Sequence, residues 1–325
     1  MSSLCLYFIK APEKNRWIKG DKYLRSFFRT LLRGKPRLGG VEKVFINLCK
    51  GLDCLGVDYR INVPFSELKL KDKVAILGAG KHCLDGYRQP NKIVAGIGLM
   101  THPSEWPELC NEYPVVKYLQ HSEWVNDIYK PYYGNRCEIW PVGIETEKWK
   151  PDTNIDKEFD FLIYDKIHWH YDEMNQNLLL PIRELLNRKN LRFTEVRYGN
   201  YRSDEYRQRL LKSKAMIFLS EHESQGIAYQ EALSSGVPIF ALDQGKLVDE
   251  NYKIWGDQHK PTSSVPYFDE RCGMKFKNLE GFELMIESFI CKVNGFEFRP
   301  RDYVLENLTL EKSAQNFLEI VNSVY

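Results

Sequence analysis

The segment Leu219–Asp243, LSEHESQGIAYQEALSSGVPIFALD, decides the fold prediction. It reads as a short apolar strand, a polar loop, a helix, a Gly-Val-Pro turn and a second apolar strand. In a parallel α/β sheet, the loop after a strand emerges at the carboxyl edge, where ligands bind. The N-terminus of the following helix offers free N–H groups and a positive dipole end, which suit a phosphate. The segment therefore predicts a ligand site at the edge of a parallel sheet.

Two carboxylates of this segment are the first candidate site residues. Glu223 lies in the loop, Gly226 allows close approach of the backbone before the helix, and Glu231 lies one turn inside the helix. Carboxylates accept hydrogen bonds from paired hydroxyls, such as those of a ribose or a hexose. Taken singly, a Glu before a helix is typical of a cap, and a Glu within it is typical of a solvated face. The fixed spacing with Gly236 and Pro238 between two apolar strands favours the ligand-binding interpretation.

The extended string resembles a glycosyltransferase signature. Residues 223–239, E-S-Q-G-I-A-Y-Q-E-A-L-S-S-G-V-P-I, are similar to E-G-F-G-x-x-x-x-E-A-x-A-x-G-x-P-V of the retaining GT-B glycosyltransferases, most closely the family-4 group. Ser224 and Gln225 stand in place of Gly-Phe. Pro36–Glu42 (PRLGGVE) resembles the first glycine-rich loop of that family, and Pro141–Pro151 (PVGIETEKWKP) resembles its P-x-G-[IV]-[DE]-x-x-x-[FW]-x-P linker. The resemblance implies an enzyme that moves a sugar from a nucleotide-diphosphate sugar to a glycan, lipid or small-molecule acceptor.

The same resemblance implies roles for individual residues. Glu231 would bind the ribose hydroxyls of the nucleotide, and Glu223 would contact the transferred sugar beside the reacting centre. Lys166, in LIYDKI, would neutralise the departing pyrophosphate, and His102, after the 92–97 strand, would lie near the donor sugar. The other donor-binding residues that the two motifs imply are Gly39, Gly40, Ser224, Gln225, Gly226 and Ile227.

The phosphate-binding part departs from the family pattern. Asp165 stands where the family has Gly, and Tyr171 stands where it has Lys. The candidates to replace that lysine are His168, His170, Arg197 and Arg202. Each of them, taken alone, is typical of a surface residue. His82, in GAGKHC, is the alternative to His102, and either histidine is equally compatible with an ordinary polar contact.

Strands and helices alternate along the rest of the chain, which predicts parallel sheets. Strands are predicted at 3–9, 58–63, 74–77, 92–97, 115–119, 137–141, 159–164, 192–198, 215–219 and 238–242. Helices are predicted at 41–55, 122–130, 175–188, 205–213, 227–235 and 310–324. The predicted fold class is α/β of the GT-B type, with two Rossmann-like domains whose parallel sheets face each other across a cleft. We expect an acceptor-side domain at 1–142, a donor-side domain at 143–307, and a last helix at 308–325 that returns to the first domain.

Length and composition suit two globular domains. The chain has 325 residues, of which 43% are hydrophobic and 28% charged, and this balance excludes a disordered chain. A net charge of +2 gives no general attraction to nucleic acid, so no such partner is predicted. The eight cysteines show no C-x-x-C pair and no zinc-like clustering with histidine, which indicates free thiols in a reducing compartment. Without a signal peptide or an apolar run of about 18 residues, a cytoplasmic enzyme is predicted.

The reaction that the resemblance implies requires the protein to stabilise negative charge on the leaving group. Glycosyl transfer passes through an oxocarbenium-like state while the diphosphate leaves with growing negative charge. Many sugar transferases of another fold hold a metal ion with D-x-D, and this sequence contains no D-x-D. We expect helix N-termini, glycine-loop amides and Lys166 to stabilise the charge, and therefore predict no metal and no other cofactor. Retention of the anomeric configuration follows from the resemblance alone.

Residues 16–37 form a basic insert. Ten basic residues and two acidic ones lie between Lys10 and Arg37. One face of a predicted helix carries Tyr23, Leu24, Phe27, Phe28, Leu31 and Leu32, and another face carries Arg25, Arg29 and Arg33. The pattern indicates either peripheral contact with an anionic membrane or a lipid-linked acceptor, or an ordinary helix packed on the first domain.

Other functions remain open at this point. An epimerase or a phosphorylase on the same fold would share the nucleotide-sugar site. A catalytically degenerate GT-B module that binds a glycan or a partner would keep the motifs without catalysis, and Tyr171 in place of Lys supports it weakly. A nicotinamide dehydrogenase is disfavoured, because no complete G-x-G-x-x-G follows the first strand.

Overall fold

Two parallel β-sheets organise the part of the chain that the computed structural model describes, namely residues 3–10, 39–258 and 260–325. The first sheet has the order β2-β1-β3-β4-β5-β6, with strands at Leu4–Phe8, Tyr59–Ile61, Lys73–Gly78, Ile93–Gly98, Val115–Gln120 and Cys137–Ile139 for β1 to β6. The second has the order β11-β10-β9-β7-β8, with strands at Phe159–Lys166, Phe193–Arg197, Ser213–Ser220, Ile239–Leu242 and Gly273–Phe276 for β7 to β11. The prediction of two α/β domains with parallel sheets is confirmed.

Helices cover both sheets, as buried parallel strands require. In the first half they are Gly40–Cys54 (α1), Leu109–Glu112 (α2) and Glu123–Tyr133 (α3). In the second half they are Tyr171–Met174 (α4), Leu180–Arg188 (α5), Ser203–Leu211 (α6), Ile227–Ser234 (α7), Leu279–Asn294 (α8), Pro300–Asn307 (α9) and Leu310–Asn322 (α10). A π-helical turn, Asn175–Leu179, joins α4 to α5. Short 3₁₀ turns lie at Phe65–Glu67, Lys81–Leu84, Pro103–Glu105, Gly134–Arg136 and Glu250–Trp255.

Two hydrophobic layers enclose the first sheet. On one face, Tyr7, Ile76 and Tyr118 belong to the same buried cluster as Ile128 and Tyr129 of α3. The other face packs on α1 and α10, through Leu6, Leu77, Leu119, Val44, Leu48 and Phe317. Because both faces are covered, the side chains at the carboxyl ends of these strands are the ones left to form a site.

The last helix, α10, packs on α1 of the first domain. A Cβ added at Gly51 of α1 would stand 2.4 Å from the Leu310 carbonyl oxygen, so the two helix backbones approach closely. Trp140 is buried and donates its Nε1–H to the Ser313 carbonyl over 3.0 Å. The Ser313 hydroxyl in turn donates to the Pro141 carbonyl over 2.8 Å, which connects α10 to the segment between the two sheets.

Four elements of the second domain were not predicted from the sequence, namely β11, α4, α8 and α9. Helix α8 buries Phe282, Ile286 and Phe289, and two of these rings pack on Phe240 of β10. That spacing of four and three residues is a helical pattern, so the signal for α8 was present in the sequence. The predicted basic helix at 16–37, and residues 36–38 of the PRLGGVE motif, lie outside the described residues.

Candidate functional site

A cavity of about 1110 Å³ lies between the two domains, and we call it the cleft. Its first-domain wall follows the carboxyl ends of β3, β4 and β5, at residues 79–81, 97–101 and 120–121. The wall from the second domain follows the ends of β7, β8 and β9, through Lys166, Tyr198 and residues 221–224. Both sheets therefore direct their ligand-binding edges at one space.

Glu223 lies on the cleft wall in the loop after β9 and is 8% exposed. Its carboxylate accepts a hydrogen bond from the Ser220 hydroxyl over 3.1 Å and pairs with the Lys166 ammonium at 2.5 Å. Its backbone N–H donates to the Ser263 carbonyl, and its carbonyl accepts from Trp124 Nε1 of the first domain, each over 3.0 Å. The loop is thus fixed on both sides of the carboxylate.

Lys166 ends strand β7 and brings a cation to the same wall. Its ammonium stands 4.6 Å from the centre of the Tyr198 ring, a distance at which the ring face attracts a cation. The side chain is 19% exposed and lines the cleft, so the ion pair with Glu223 is accessible from it. The structure brings Lys166 and Glu223 together as the sequence analysis expected of one site.

Glu231 lies in α7 and is 4% exposed, away from the lining of the cleft. Its carboxylate pairs with the Lys43 ammonium, which comes from α1 of the opposite domain. Burial raises the pKa of Glu231, and the attraction of Lys43 opposes that rise. Neither Glu223 nor Glu231 therefore points into bulk water, and each is held by a lysine.

Glu221, which the sequence analysis did not single out, fixes the loop after β7. It is 4% exposed, and its Oε1 accepts the backbone N–H of His168 over 2.7 Å and that of Trp169 over 2.8 Å. Its carboxylate therefore caps the chain directly after Lys166. The signal for it was its place in the same SEHE run as Glu223, one residue past the end of β9.

The predicted donor-binding loop divides into lining and supporting residues. Ser224 lines the cleft. Gln225 is buried and turns inward, where its Oε1 accepts the Val142 N–H over 3.0 Å and its Nε2 donates to Gln230 Oε1 over 2.8 Å. Gly226 has a φ of +77°, and an added Cβ would stand 2.1 Å from the buried Tyr229 ring.

Helices α7 and α1 begin at the other predicted loop positions. Ile227 is the first residue of α7 and packs against the cores of both domains. Gly39 and Gly40 open α1; both are exposed, and an added Cβ at either would meet nothing within 4 Å. Neither glycine lines the cleft, whereas Val41 next to them does.

The structure corrects the prediction for His102. This ring is 1% exposed, its Nε2 lies 2.7 Å from an Asp257 carboxylate oxygen, and its Nδ1 lies 2.7 Å from the Ser104 hydroxyl. It also stacks on Trp255, with ring centres 4.4 Å apart. Both ring nitrogens and a ring face are occupied, so His102 joins the two domains instead of contacting a donor sugar. His82, the alternative, holds the Ile9 carbonyl over 2.7 Å and does not line the cleft.

Two other histidines line the cleft, and the sequence analysis missed both. His121 directly follows β5; burial lowers its pKa to about 4, and its Nδ1 donates to the Trp140 carbonyl over 3.1 Å. The ring is therefore neutral, with Nε2 as a hydrogen-bond acceptor. His222 precedes Glu223, and burial also lowers its pKa.

The four candidate replacements for the absent lysine differ in whether they line the cleft and whether they are already paired. His168 lines the cleft and is exposed. Arg197 is occupied, since it pairs with Asp165 at 2.5 Å and lies 3.9 Å over the Tyr171 ring. His170 pairs with Glu250 at 3.1 Å, and Arg202 pairs with Asp204 at 3.3 Å, both away from the cleft lining.

Within residues 3–10, 39–258 and 260–325, no group of three or more His, Cys, Asp and Glu side chains is placed to hold a metal ion. In the same ranges, no helix is long and apolar enough to cross a membrane.

No protein-family model matches this chain, and neither does any curated protein sequence. Solved structures do match it. One is a TarM variant from S. aureus in complex with fondaparinux, α-GlcNAc-glycerol and UDP, at 13% identity and a TM-score of 0.54, over 86% of this chain and 59% of that one. Another is the apo form of the lipopolysaccharide outer core galactosyltransferase WaaB, at 9% identity and a TM-score of 0.53, over 99% of this chain and all of that one.

The fold also matches a protein that is named for a different reaction. The N-terminal domain of trehalose-6-phosphate phosphatase from Candida albicans matches at 11% identity and a TM-score of 0.55, over 100% of this chain and 97% of that one. At these identities the matches establish the architecture, and the GT-B fold predicted from the motifs is confirmed. The chain spans about three fifths of the length of TarM.

Proposed function

We propose that this chain is a glycosyltransferase that moves a sugar from a nucleoside diphosphate to the hydroxyl of an acceptor, with retention and without a metal. The observation that carries the proposal is the placement of the two carboxylates. Glu223 stands with Lys166 on the cleft wall, and Glu231 is buried against Lys43 of the opposite domain. Two solved structures of this fold, the galactosyltransferase WaaB and TarM in complex with UDP and α-GlcNAc-glycerol, support the same reaction class.

The proposed mechanism assigns the leaving charge to Lys166. When a donor binds, the ammonium exchanges the Glu223 carboxylate for the diphosphate, while the Tyr198 ring keeps it in place. The bond between C1 of the sugar and the phosphate oxygen breaks, the acceptor hydroxyl oxygen bonds to C1, and the acceptor proton passes to the departing diphosphate oxygen. A cation at the departing diphosphate stabilises the charge that develops, which is where such groups lower the barrier most.

Glu223 and Glu231 have separate roles in this proposal. Once Lys166 has turned to the diphosphate, the Glu223 carboxylate is free to accept hydrogen bonds from sugar hydroxyls next to the positively charged C1. Glu231 would accept the ribose hydroxyls in exchange for Lys43. His121, a neutral acceptor on the first-domain wall, replaces His102 as the histidine available to a substrate hydroxyl.

The remaining donor contacts are proposed for the two loops that begin helices. Ser224, Gly226 and Ile227 would present the N-terminus of α7 to the nucleotide, and Gly39 and Gly40 would present the N-terminus of α1 to the diphosphate. A glycan or lipid-linked acceptor would enter from the first-domain wall. Membrane contact through residues 16–37 stays a prediction from the sequence.

Binding and turnover of nucleotide sugars test the proposal. UDP, GDP, ADP and dTDP and their glucose conjugates are titrated by calorimetry, and release of nucleoside diphosphate is then followed with and without excess EDTA. Glu231→Gln is expected to weaken nucleotide binding about 10–100-fold, the value of a charge-assisted hydrogen bond. Glu223→Gln is expected to keep nucleotide binding within about threefold and to lose turnover. EDTA is expected to have no effect.

Glu205→Gln, a surface carboxylate of α6 in the same domain, is the matched control for both variants. No binding of any of the four nucleotides would refute the nucleotide-sugar assignment. The non-catalytic module would be favoured if the protein binds a nucleotide with the same affinity as Glu223→Gln and neither of them shows turnover. Loss of turnover in EDTA would refute metal independence.

A further inference from the structure

Glu221 differs from the other carboxylates of the cleft because it is buried without a cation. Four carboxylates line the cleft, namely Glu105, Glu221, Glu223 and Asp249. Glu105 is exposed, Asp249 is partly exposed, and Glu223 pairs with Lys166. Glu221 is 4% exposed, and within the part of the chain that the structure describes it forms no ion pair. A buried charge without a partner is unfavourable, so its presence points to a use for the charge itself.

Holding the loop after β7 does not require a charge at position 221. One oxygen, Oε1, accepts both backbone N–H groups, those of His168 and Trp169. The amide oxygen of a glutamine would accept the same two hydrogen bonds without taking a charge out of water. The two N–H groups favour the ionised form of the carboxyl. The negative charge is therefore present, but the loop does not need it.

The second oxygen of Glu221 is available to a ligand. Among the described residues Oε2 has no hydrogen-bond partner, and it is not one of the unpaired polar atoms that are sealed from solvent. The residue lines the cleft together with Lys166 and Glu223. Lys166 lies opposite Ser220 in the pairing of β7 with β9, and Glu221 directly follows Ser220. The carboxylate is thus fixed next to the cation that the proposed function assigns to the diphosphate.

The proposed reaction creates a positive charge in the cleft. As the bond from C1 to the phosphate oxygen breaks, its electron pair leaves with the diphosphate, and positive charge is shared between C1 and the ring oxygen. A fixed carboxylate attracts that charge strongly in a site from which water is excluded. The sugar of the bound donor carries no such charge before the bond breaks, so the attraction lowers the barrier without tightening donor binding.

We propose that Glu221 stabilises the positively charged sugar of the transition state through its negative charge, in addition to holding the loop after β7. The proposal rests on the proposed function, because it needs a sugar that leaves a diphosphate. Glu221 and Glu223 then serve the sugar, and Lys166 serves the diphosphate. The charge of Glu221 also repels the diphosphate of the bound donor, so its removal does not weaken nucleotide binding.

Glu221→Gln tests the proposal, because it removes the charge and keeps an oxygen for both N–H groups. Its melting midpoint is expected to stay within about 4 °C of wild type, and its Kd for the nucleoside diphosphate within about threefold. A cationic iminosugar mimics the charged sugar without turnover. Deoxynojirimycin and its galacto and manno isomers are therefore titrated by calorimetry with the nucleoside diphosphate at saturation. At least one is expected to bind, and Glu221→Gln is expected to raise its Kd about tenfold and to slow release of nucleoside diphosphate from the sugar donor about 10–100-fold.

Glu205→Gln, on the surface of α6, is the matched control and is expected to behave as wild type. Equal iminosugar affinity in wild type and Glu221→Gln would overturn the proposal and leave the proposed function intact. The same holds if the nucleoside diphosphate binds and no iminosugar does, or if turnover stays within about threefold of wild type. Nucleotide affinity that falls together with the melting midpoint would show that the side chain only holds the loop, and would overturn the proposal as well. No binding of any nucleoside diphosphate would remove the proposed function and this proposal with it.

Discussion

Replacing Lys43 with Met tests the ion pair that joins the two domains. Met keeps the length of the side chain and removes its charge, so Glu231 stays buried, at 4% exposure, without its partner. Breaking a buried pair from one side costs about 3–5 kcal/mol. Because the Lys43 side chain is 28% exposed, solvent already screens part of the attraction, and we expect a loss of about 1–3 kcal/mol in the free energy of unfolding.

The pH dependence of this loss has a defined sign. Burial already holds the pKa of Glu231 above its ordinary value. The stability that such a carboxyl supplies is fully present below its unfolded pKa and is lost as the pH rises through its folded pKa. Lys43→Met raises that folded pKa further, because it removes the opposing attraction. The variant should therefore differ little from wild type near the unfolded pKa and fall below it near neutral pH.

Thermal melting at pH 5 and pH 7 measures this difference, at about 2–4 °C for each kcal/mol in a domain of 150–250 residues. Glu231→Gln is the matched control: it removes the buried charge and leaves a lysine that water can solvate, so its melting midpoint at pH 7 should equal or exceed that of wild type. Equal midpoints for Lys43→Met and wild type at both pH values would refute the reasoning. A Glu231→Gln midpoint as low as that of Lys43→Met would refute it as well.

Three further predictions concern residues around the site. Burial lowers the pKa of His121 from 6.5 to about 4. The free energy of unfolding should therefore fall by about 3 kcal/mol in all as the pH drops from above 6.5 toward 4. Melting midpoints of His121→Gln should lack this part of the pH dependence, and an unchanged pH dependence would contradict the assignment. His102→Phe keeps the stacking on Trp255 but loses the bond to Asp257, so it should destabilise by about 1–3 kcal/mol and leave nucleotide affinity unchanged; lost affinity at an unchanged midpoint would return His102 to the site. Gly51→Ala should destabilise the protein by about 1–3 kcal/mol, because its Cβ would stand 2.4 Å from the Leu310 carbonyl oxygen. Gly40→Ala should not destabilise it, because its Cβ meets nothing within 4 Å. Equal melting midpoints for the two variants would refute the close approach of α1 and α10.

The strand ends of the site were predictable because apolar strands and polar loops alternate strongly in this sequence. Glu223 and Lys166 each lie at or just after such a strand end, and the parallel sheet brings these ends to one edge. The sign of the charge at these two strand ends was also evident from the residue types, glutamate and lysine. Pattern and topology therefore place Lys166 and Glu223 at one sheet edge, whereas the choice of Lys166 as a site residue came from the family resemblance, and their direct contact was not predicted.

The histidines show where this reasoning fails. His102 and His121 both follow an apolar strand, and the pattern did not distinguish them. His121 comes directly after β5, whereas three residues separate His102 from the end of β4, and that extra length turns it into the interface with Asp257. Distance from the strand end was the signal that would have separated them.

Partners from the opposite domain were not predictable. Lys43 and Glu231 are 188 positions apart, and no local period relates α1 to α7. Segment 260–267, whose Ser263 carbonyl accepts the backbone N–H of Glu223, contains no regular helix or strand that a pattern could have placed. Such contacts depend on how the two domains dock, which neither the hydrophobic period nor the spacing of motifs encodes.

The inward turn of Gln225 restricts how this chain can diverge. One side-chain amide serves both the Val142 N–H, in the segment between the sheets, and the side-chain Oε1 of Gln230 in α7. A relative that carries the phenylalanine of the family pattern at position 225 leaves two buried polar groups unpaired, unless position 230 changes as well. Positions 225 and 230 should therefore vary together among descendants of this sequence, and engineered changes to the loop should be made in pairs.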